Sequence, residues 1–219
     1  MTKFVELSHR VENGMRAYPG FPNPKIGAFL SREDSRAKYA GKAEFYIGRV
    51  EMVGNVGTYL DAPFHRHANG ADLSMLPLQS IAGLDGVALE GNSESGRAVS
   101  LECNQRELRD RAVLIKTGWD ERWGRDDYWA LGPYLSDGSI DLLIDARAAL
   151  VGVDFWNIDD VENFSRPAHT RLLAANIPIV EHMTNLSSLP RVGFKFYAIP
   201  PPIVDGASFP VRAFAEVDQ

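Results

Sequence analysis

Two groups of residues in this chain have the types and spacing for chemistry: Asp61 and His65 around Pro63, and His169 with Glu181 far downstream. There are five histidines, His9, His65, His67, His169 and His182, so a metal or acid–base centre must be built from these together with carboxylates. The first group lies in Asn55-Val56-Gly57-Thr58-Tyr59-Leu60-Asp61-Ala62-Pro63-Phe64-His65. If Asn55 to Asp61 is extended, side chains alternate, and Asn55, Gly57, Tyr59 and Asp61 share one face, with Val56, Thr58 and Leu60 on the other. Gly57 leaves room on the polar face for a ligand or another backbone. Pro63 lacks an N–H, so a central strand ends there and His65 falls just past it, close to Asp61. The plainer reading is a strand-ending turn in which Asp61 caps backbone amides and Tyr59 is a packed tyrosine.

The second group begins at Ser165-Arg166-Pro167-Ala168-His169. Ser165 can cap a helix and Pro167 suits its first turn, which also holds His169. There the positive end of the helix dipole disfavours imidazolium, leaving a neutral ring able to bind a metal. Asn176 is a helix stop, and Glu181 closes the strand Ile177-Pro178-Ile179-Val180-Glu181. Taken singly, such a histidine is usually a surface or hydrogen-bonded residue and such a glutamate is usually solvated.

The elements that must position these groups are short. A strand is expected at Phe4–Ser8, an ordered loop over 18–24 with three prolines and a glycine, and β-like chain over 43–54 continuing to Leu60. A turn follows near Leu76–Ile81, a strand at Gly86–Glu90 and a polar surface loop over 91–98. Asn104–Arg111 reads as a short helix and Ala112–Gly118 as a buried strand. Asp141–Asp145 reads as helical, Val151–Asp154 as a strand, Arg171–Ala175 as helical and Phe194–Ile199 as a final strand. Strands outnumber helices and mix with them, giving an α/β or α+β class with a substantial sheet core.

The chain has 219 residues, 45% of them apolar, which supports a sizeable core, and 1–219 reads as a single domain without repeats or linkers. Net charge is −6 with no basic block, which argues against nucleic acid as a partner. One cysteine, Cys103, excludes an intramolecular disulfide framework and a cysteine-cluster metal site, and that thiol reads as structural. No apolar run suits a signal peptide or a membrane span, so a cytoplasmic protein with no membrane partner is expected.

The segment Asn55–His65 resembles the motif His-x-Gly-Thr-His-x-Asp-x-Pro-x-His of the metal-dependent cyclase/hydrolase family that includes bacterial kynurenine formamidase and isatin hydrolase. Five of its seven fixed positions match. Leu7-Ser8-His9, Glu12-Asn13-Gly14-Met15, Tyr18-Pro19-Gly20, Lys116-Thr117-Gly118-Trp119, Gly152-Val153-Asp154 and the late His169 and Glu181 extend the resemblance in order. It implies an α/β fold of the swivelling β/β/α (cyclase-like) type with a mixed sheet core, a homodimer or homotetramer, and water attack on an amide, lactam or lactone carbonyl of a small, aromatic substrate. It also implies that Asn55 and Tyr59 stand where the family has two ligand histidines. Asp61, His169 and Glu181 keep ligand identity, and His65 keeps the catalytic histidine position.

Two outcomes follow for the cofactor. Asp61, His169 and Glu181, either alone or joined by His65 or Asn55, hold one divalent metal, with Mn²⁺ or Mg²⁺ gaining ground over Zn²⁺ on this harder donor set. Alternatively no metal binds, Tyr59 and Asn55 donate to a substrate carbonyl, and His65, oriented by Asp61 or Glu181, is the general base. A non-hydrolytic binding protein on the same scaffold and a metal-free lyase or cyclase are the other readings. Phe21, Trp119 and Trp156 are candidate pocket aromatics. His67 and His182 are expected to support the site or lie at the surface, and His9 is placed to reach a neighbouring subunit's site.

Overall fold

The computed structural model describes residues 2–93 and 96–218. Its strands are β1 (Thr2–Glu6), β2 (Lys25–Leu30), β3 (Ile47–Glu51), β4 (Tyr59–Asp61), β5 (Ala82–Glu90), β6 (Ala98–Val99) and β7 (Ala112–Lys116). They continue with β8 (Tyr134–Leu135), β9 (Leu150–Val153), β10 (Ile179–Glu181), β11 (Val192–Tyr197), β12 (Ser208–Pro210) and β13 (Phe214–Asp218). The helices are α1 (Arg32–Lys38), α2 (Gln105–Leu108), α3 (Asp137–Ala146) and α4 (Pro167–Ala174). One large mixed sheet runs β1-β13-β11-β5-β7-β9-β10-β4-β12, parallel from β5 to β10 and antiparallel on both flanks. The expected α/β class with a mixed sheet core is thus what forms.

Strand alternation explains the two cores. In β7, Ala112 and Leu114 face one side while Val113 and Ile115 face the other, and all four are fully buried. A parallel strand covered on both faces reads as an unbroken apolar run, which is why this strand was legible. Val113 and Ile115 join Ile140 and Leu143 of α3 and Leu172 of α4, so the helices cover that face. The opposite face gathers Val5 and Ala215 from one flank with Leu60 and Ala62 from the other. The sheet must curl to bring its two flanks into one cluster, and the bonds Leu7 N–H to Ala213 O and Thr184 N–H to Leu7 O tie the curl together.

Several local expectations change. The β-like run over 43–60 is two separate strands, β3 and β4, because Gly57 adopts φ +65°, where a strand cannot continue. Asn55 and Gly57 therefore do not extend the face of Tyr59 and Asp61. The loop over 18–24 forms as expected, but β2 and the helix α1, capped by Ser31, were not foreseen. The 91–98 loop lies partly outside the described residues, and Ala98 already belongs to β6. Among the described residues, no helix is long and apolar enough to cross a membrane.

Candidate active site

The site is assembled where β4 lies between β10 and β12. Antiparallel register sets Tyr59 opposite Glu181 and Asp61 opposite Ser208. Directly opposed residues project to the same face, so Tyr59, Asp61, Glu181 and Ser208 gather on one side. Leu60 and Val180 point to the core on the other. Gly54 keeps β12 close: a Cβ there would come within 2.1 Å of Ser208 O. Gly54→Ala is expected to displace Ser208 from Asp61 and destabilise the protein by roughly 1–3 kcal/mol. A lowered urea midpoint together with reduced turnover would register this.

Past β4, Pro63 starts a single 3₁₀ turn that ends at His65. The Ser208 hydroxyl donates to Asp61 Oδ1, and Ser208 Oγ lies 3.1 Å from His65 Nδ1. A hydroxyl has one proton, and here the carboxylate takes it. His65 Nδ1–H therefore donates to Ser208 Oγ, leaving the Nε2 lone pair free. The ring is a third exposed, while Asp61 is fully buried. Asn55 Nδ2 reaches Asp61 Oδ1 at 3.4 Å, and Asp61 Oδ2 is buried with no hydrogen-bond partner.

His169 enters from the first turn of α4. The expected Ser165 cap is not used. Arg166 occupies the N-cap position in left-handed conformation (φ 49°), and Ser165 bonds instead to Asn163 Oδ1. Asp159 supplies the missing cap, accepting from Ala168 N at 2.6 Å and His169 N at 3.1 Å. The same carboxylate accepts from His169 Nδ1 at 2.6 Å, which turns Nε2 toward Asp61 Oδ2 and Glu181 Oε1, each 3.6 Å away. Asp159 escaped the sequence reading; its only signal was a carboxylate shortly before the helix.

Electrostatics bear on one expectation about His169. The helix dipole was expected to keep His169 neutral. Burial does pull its pKa down, but the carboxylates of Asp159, Asp61 and Glu181 more than reverse this and raise it to about 10. Burial and the Asp61 charge push Glu181 up to about 7, against the opposing His169 charge. Burial also works against ionisation of Asp61, yet His65, His169 and Ser208 hold its pKa below the ordinary value. The Tyr59 hydroxyl donates to Glu181 Oε2 and its pKa is raised well above 10, first by burial. It is a donor rather than a phenolate ligand. Glu181 Oε1 also accepts from Ile158 N at 2.6 Å.

Ligand atoms of Asp61, His65 and His169 lie within 4.8 Å of one another. The carboxylate oxygen without a partner and two imidazoles are a donor set that a divalent cation fits. A cavity of about 230 Å³ opens above them, lined by Tyr18, Phe21, Asn55, Tyr59, His65, Arg66, Asn157, Arg166, His169 and Glu181. All six residues selected from the sequence border this space except Asp61, which is buried beneath it. Of the candidate aromatics, Phe21 reaches the cavity. Trp156 packs behind Tyr18, and Trp119 is held away by its bond to Tyr128 O. Ser208, Tyr18 and both arginines were missed, since nothing local links them to the motif.

The remaining histidines do not line this cavity. His67 Nε2 contacts Thr170 O at 2.9 Å. His182 is buried and bonds Tyr128 OH through Nδ1 at 2.7 Å. His9 stacks on Trp123 of its own chain at 3.8 Å. Burial lowers its pKa to about 4, against a weaker pull from Asp120. The unfolded chain takes up this proton near pH 6.5, so the neutral ring's contribution is complete above that pH and is lost as pH falls toward 4. The stability advantage of wild type over His9→Gln should shrink by about 1.4 kcal/mol per pH unit across that window, measured by urea denaturation.

The comparisons with known proteins bear on the family and the fold. The family model "Cyclase: Putative cyclase" matches residues 5–160. Kynurenine formamidase of Salinibacter ruber (strain DSM 13855 / M31) is 32% identical over 212 residues, covering 95% of each chain. Kynurenine formamidase of Bacillus anthracis is 24% identical, covering 97% of this chain and 96% of that one. Isatin hydrolase A from Labrenzia aggregata, solved with benzyl benzoate, superposes with a TM-score of 0.83 at 21% identity, over 100% of this chain and 94% of that one. The chain belongs to the cyclase family and is an enzyme with that family's hydrolase fold.

Proposed function

We propose that the protein hydrolyses an amide carbonyl, open or within a ring, on a small aromatic substrate, as the names of its kynurenine formamidase and isatin hydrolase relatives suggest. The observation that carries this reading is the convergence of Asp61, His65 and His169 beneath a cavity walled by Tyr18 and Phe21. Asp61 Oδ2 and His169 Nε2, once that nitrogen has given up its proton, would hold a divalent cation, with Glu181 beside His169. Bound there, the cation supplies Lewis acidity at the carbonyl and eases ionisation of a water. Asp159 fixes the His169 ring, and Tyr59 with Ile158 N–H fixes Glu181.

His65 is the proton carrier. Its Nε2 takes the proton of the attacking water and returns it to the leaving nitrogen as the C–N bond breaks. Ser208 holds the ring from behind and couples it to Asp61. Tyr18 and Phe21 stack on the aromatic body and keep bulk water from the carbonyl.

Elemental analysis before and after chelation, alongside hydrolysis assays on N-formyl aromatic amines and cyclic amides, tests the proposal. One tightly held divalent ion per chain and chelator-sensitive turnover are expected. A chain that hydrolyses none of these compounds, yet melts higher with an aromatic ligand, is a binding protein instead.

A further inference from the structure

Two arginines remain unused by this chemistry. Arg66 and Arg166 both line the cavity, and among the described residues neither forms an ion pair. Arg66 Nε donates to Thr170 Oγ1 at 3.0 Å, and Arg166 Nη1 donates to Asn157 Oδ1 at 3.2 Å. Both partners are neutral, so two full positive charges stay uncompensated at one opening of a chain whose net charge is −6.

The backbone is bent to put one of them there. Arg166 holds a left-handed conformation immediately before Pro167, at an N-cap position that Ser, Thr, Asp or Asn normally fills. Asp159 caps α4 from a distance, so residue 166 is free to carry something other than a cap. A non-glycine residue kept at such an angle costs free energy and recurs at ligand sites. Asn157 is itself held by the Asp159 amide, which donates to its Oδ1 at 3.0 Å, and so gives Arg166 a fixed anchor.

We infer that Arg66 and Arg166 form an anion-recognising rim, so that the favoured substrate is an aromatic amide bearing a carboxylate near the scissile carbonyl. The substrate class rests on the hydrolase reading above; the rim itself does not. Two guanidinium groups match a carboxylate by paired charge-assisted hydrogen bonds. The acidic floor, with Asp61 and Glu181, repels the same group. A carboxylate held at the rim therefore leaves the amide carbonyl facing His65.

The test compares N-formylanthranilate with uncharged N-formylaniline. Wild type should favour the anion in kcat/KM by roughly tenfold or more. In Arg66→Gln, and again in Arg166→Gln, that ratio should fall about tenfold through a raised KM, with partial recovery in Arg66→Lys. A merely structural arginine would lower both substrates alike and leave the ratio unchanged, which would overturn the rim. Binding of benzoate against benzamide, followed by calorimetry, decides the matter without turnover. Benzoate should bind the tighter and lose that advantage in Arg66→Gln, a substitution at an exposed position. Equal binding of the two ligands to wild type would refute the proposal. Preference for benzoate with neither formamide hydrolysed would keep the rim and defeat only the hydrolase reading.

Discussion

Asp61→Asn is expected to lower kcat/KM by about a thousandfold or more and to abolish binding of the proposed divalent ion. The carboxylate is fully buried, with Oδ1 engaged by Ser208 and Asn55 and Oδ2 unpartnered beside His169. Asparagine has nearly the same volume, so β4 keeps its place between β10 and β12. Its carbonyl would still accept from Ser208, which turns the amide NH₂ to the position of Oδ2. A donor there cannot ligate a cation. Losing a cation's transition-state stabilisation costs on the order of 4 kcal/mol, a factor of about a thousand. Elemental analysis, circular dichroism and steady-state kinetics on one preparation check each part. A variant that kept one equivalent of metal and ordinary turnover would remove Asp61 from the centre.

His65→Ala is expected to lower kcat by about 10²–10⁴-fold, the usual contribution of a general base. The ring is partly exposed at the end of a 3₁₀ turn, so its removal should shift the melting temperature little. The same variant separates two roles for His65. Loss of turnover with the cation retained marks a proton carrier. Loss of both marks a ligand, and the 4.8 Å convergence with Asp61 and His169 makes that outcome physically available. Ser208→Ala serves as a companion, since it removes the only contact described for His65 Nδ1 within hydrogen-bond distance and should act in the same direction with a smaller effect.

What could be read from the sequence was whatever a residue and its near neighbours decide together. The apolar run Ala112–Ile115 reads as a buried strand, and it forms one. Tyr59, Leu60 and Asp61 alternate as a strand must, with the polar pair together and Leu60 in the core. Pro167 placed the start of α4 and Asn176, at φ 58°, its end. Asp61, His65, His169 and Glu181 stand out by residue type and by the family resemblance; His65, His169 and Glu181 line the cavity and Asp61 lies buried beneath it.

The tertiary structure decided the rest, because it depends on partners remote in sequence. Strand pairing brought Ser208 to Asp61 and, through it, to His65, and no local pattern encodes that register. Asp159 displaced Ser165 as the cap because its carboxylate satisfies two amides and the His169 ring at once. The surroundings of the His169 ring are set by remote groups for the same reason. A helix terminus offers about half a unit charge, whereas folding sets three carboxylates around the ring, and their combined field prevails.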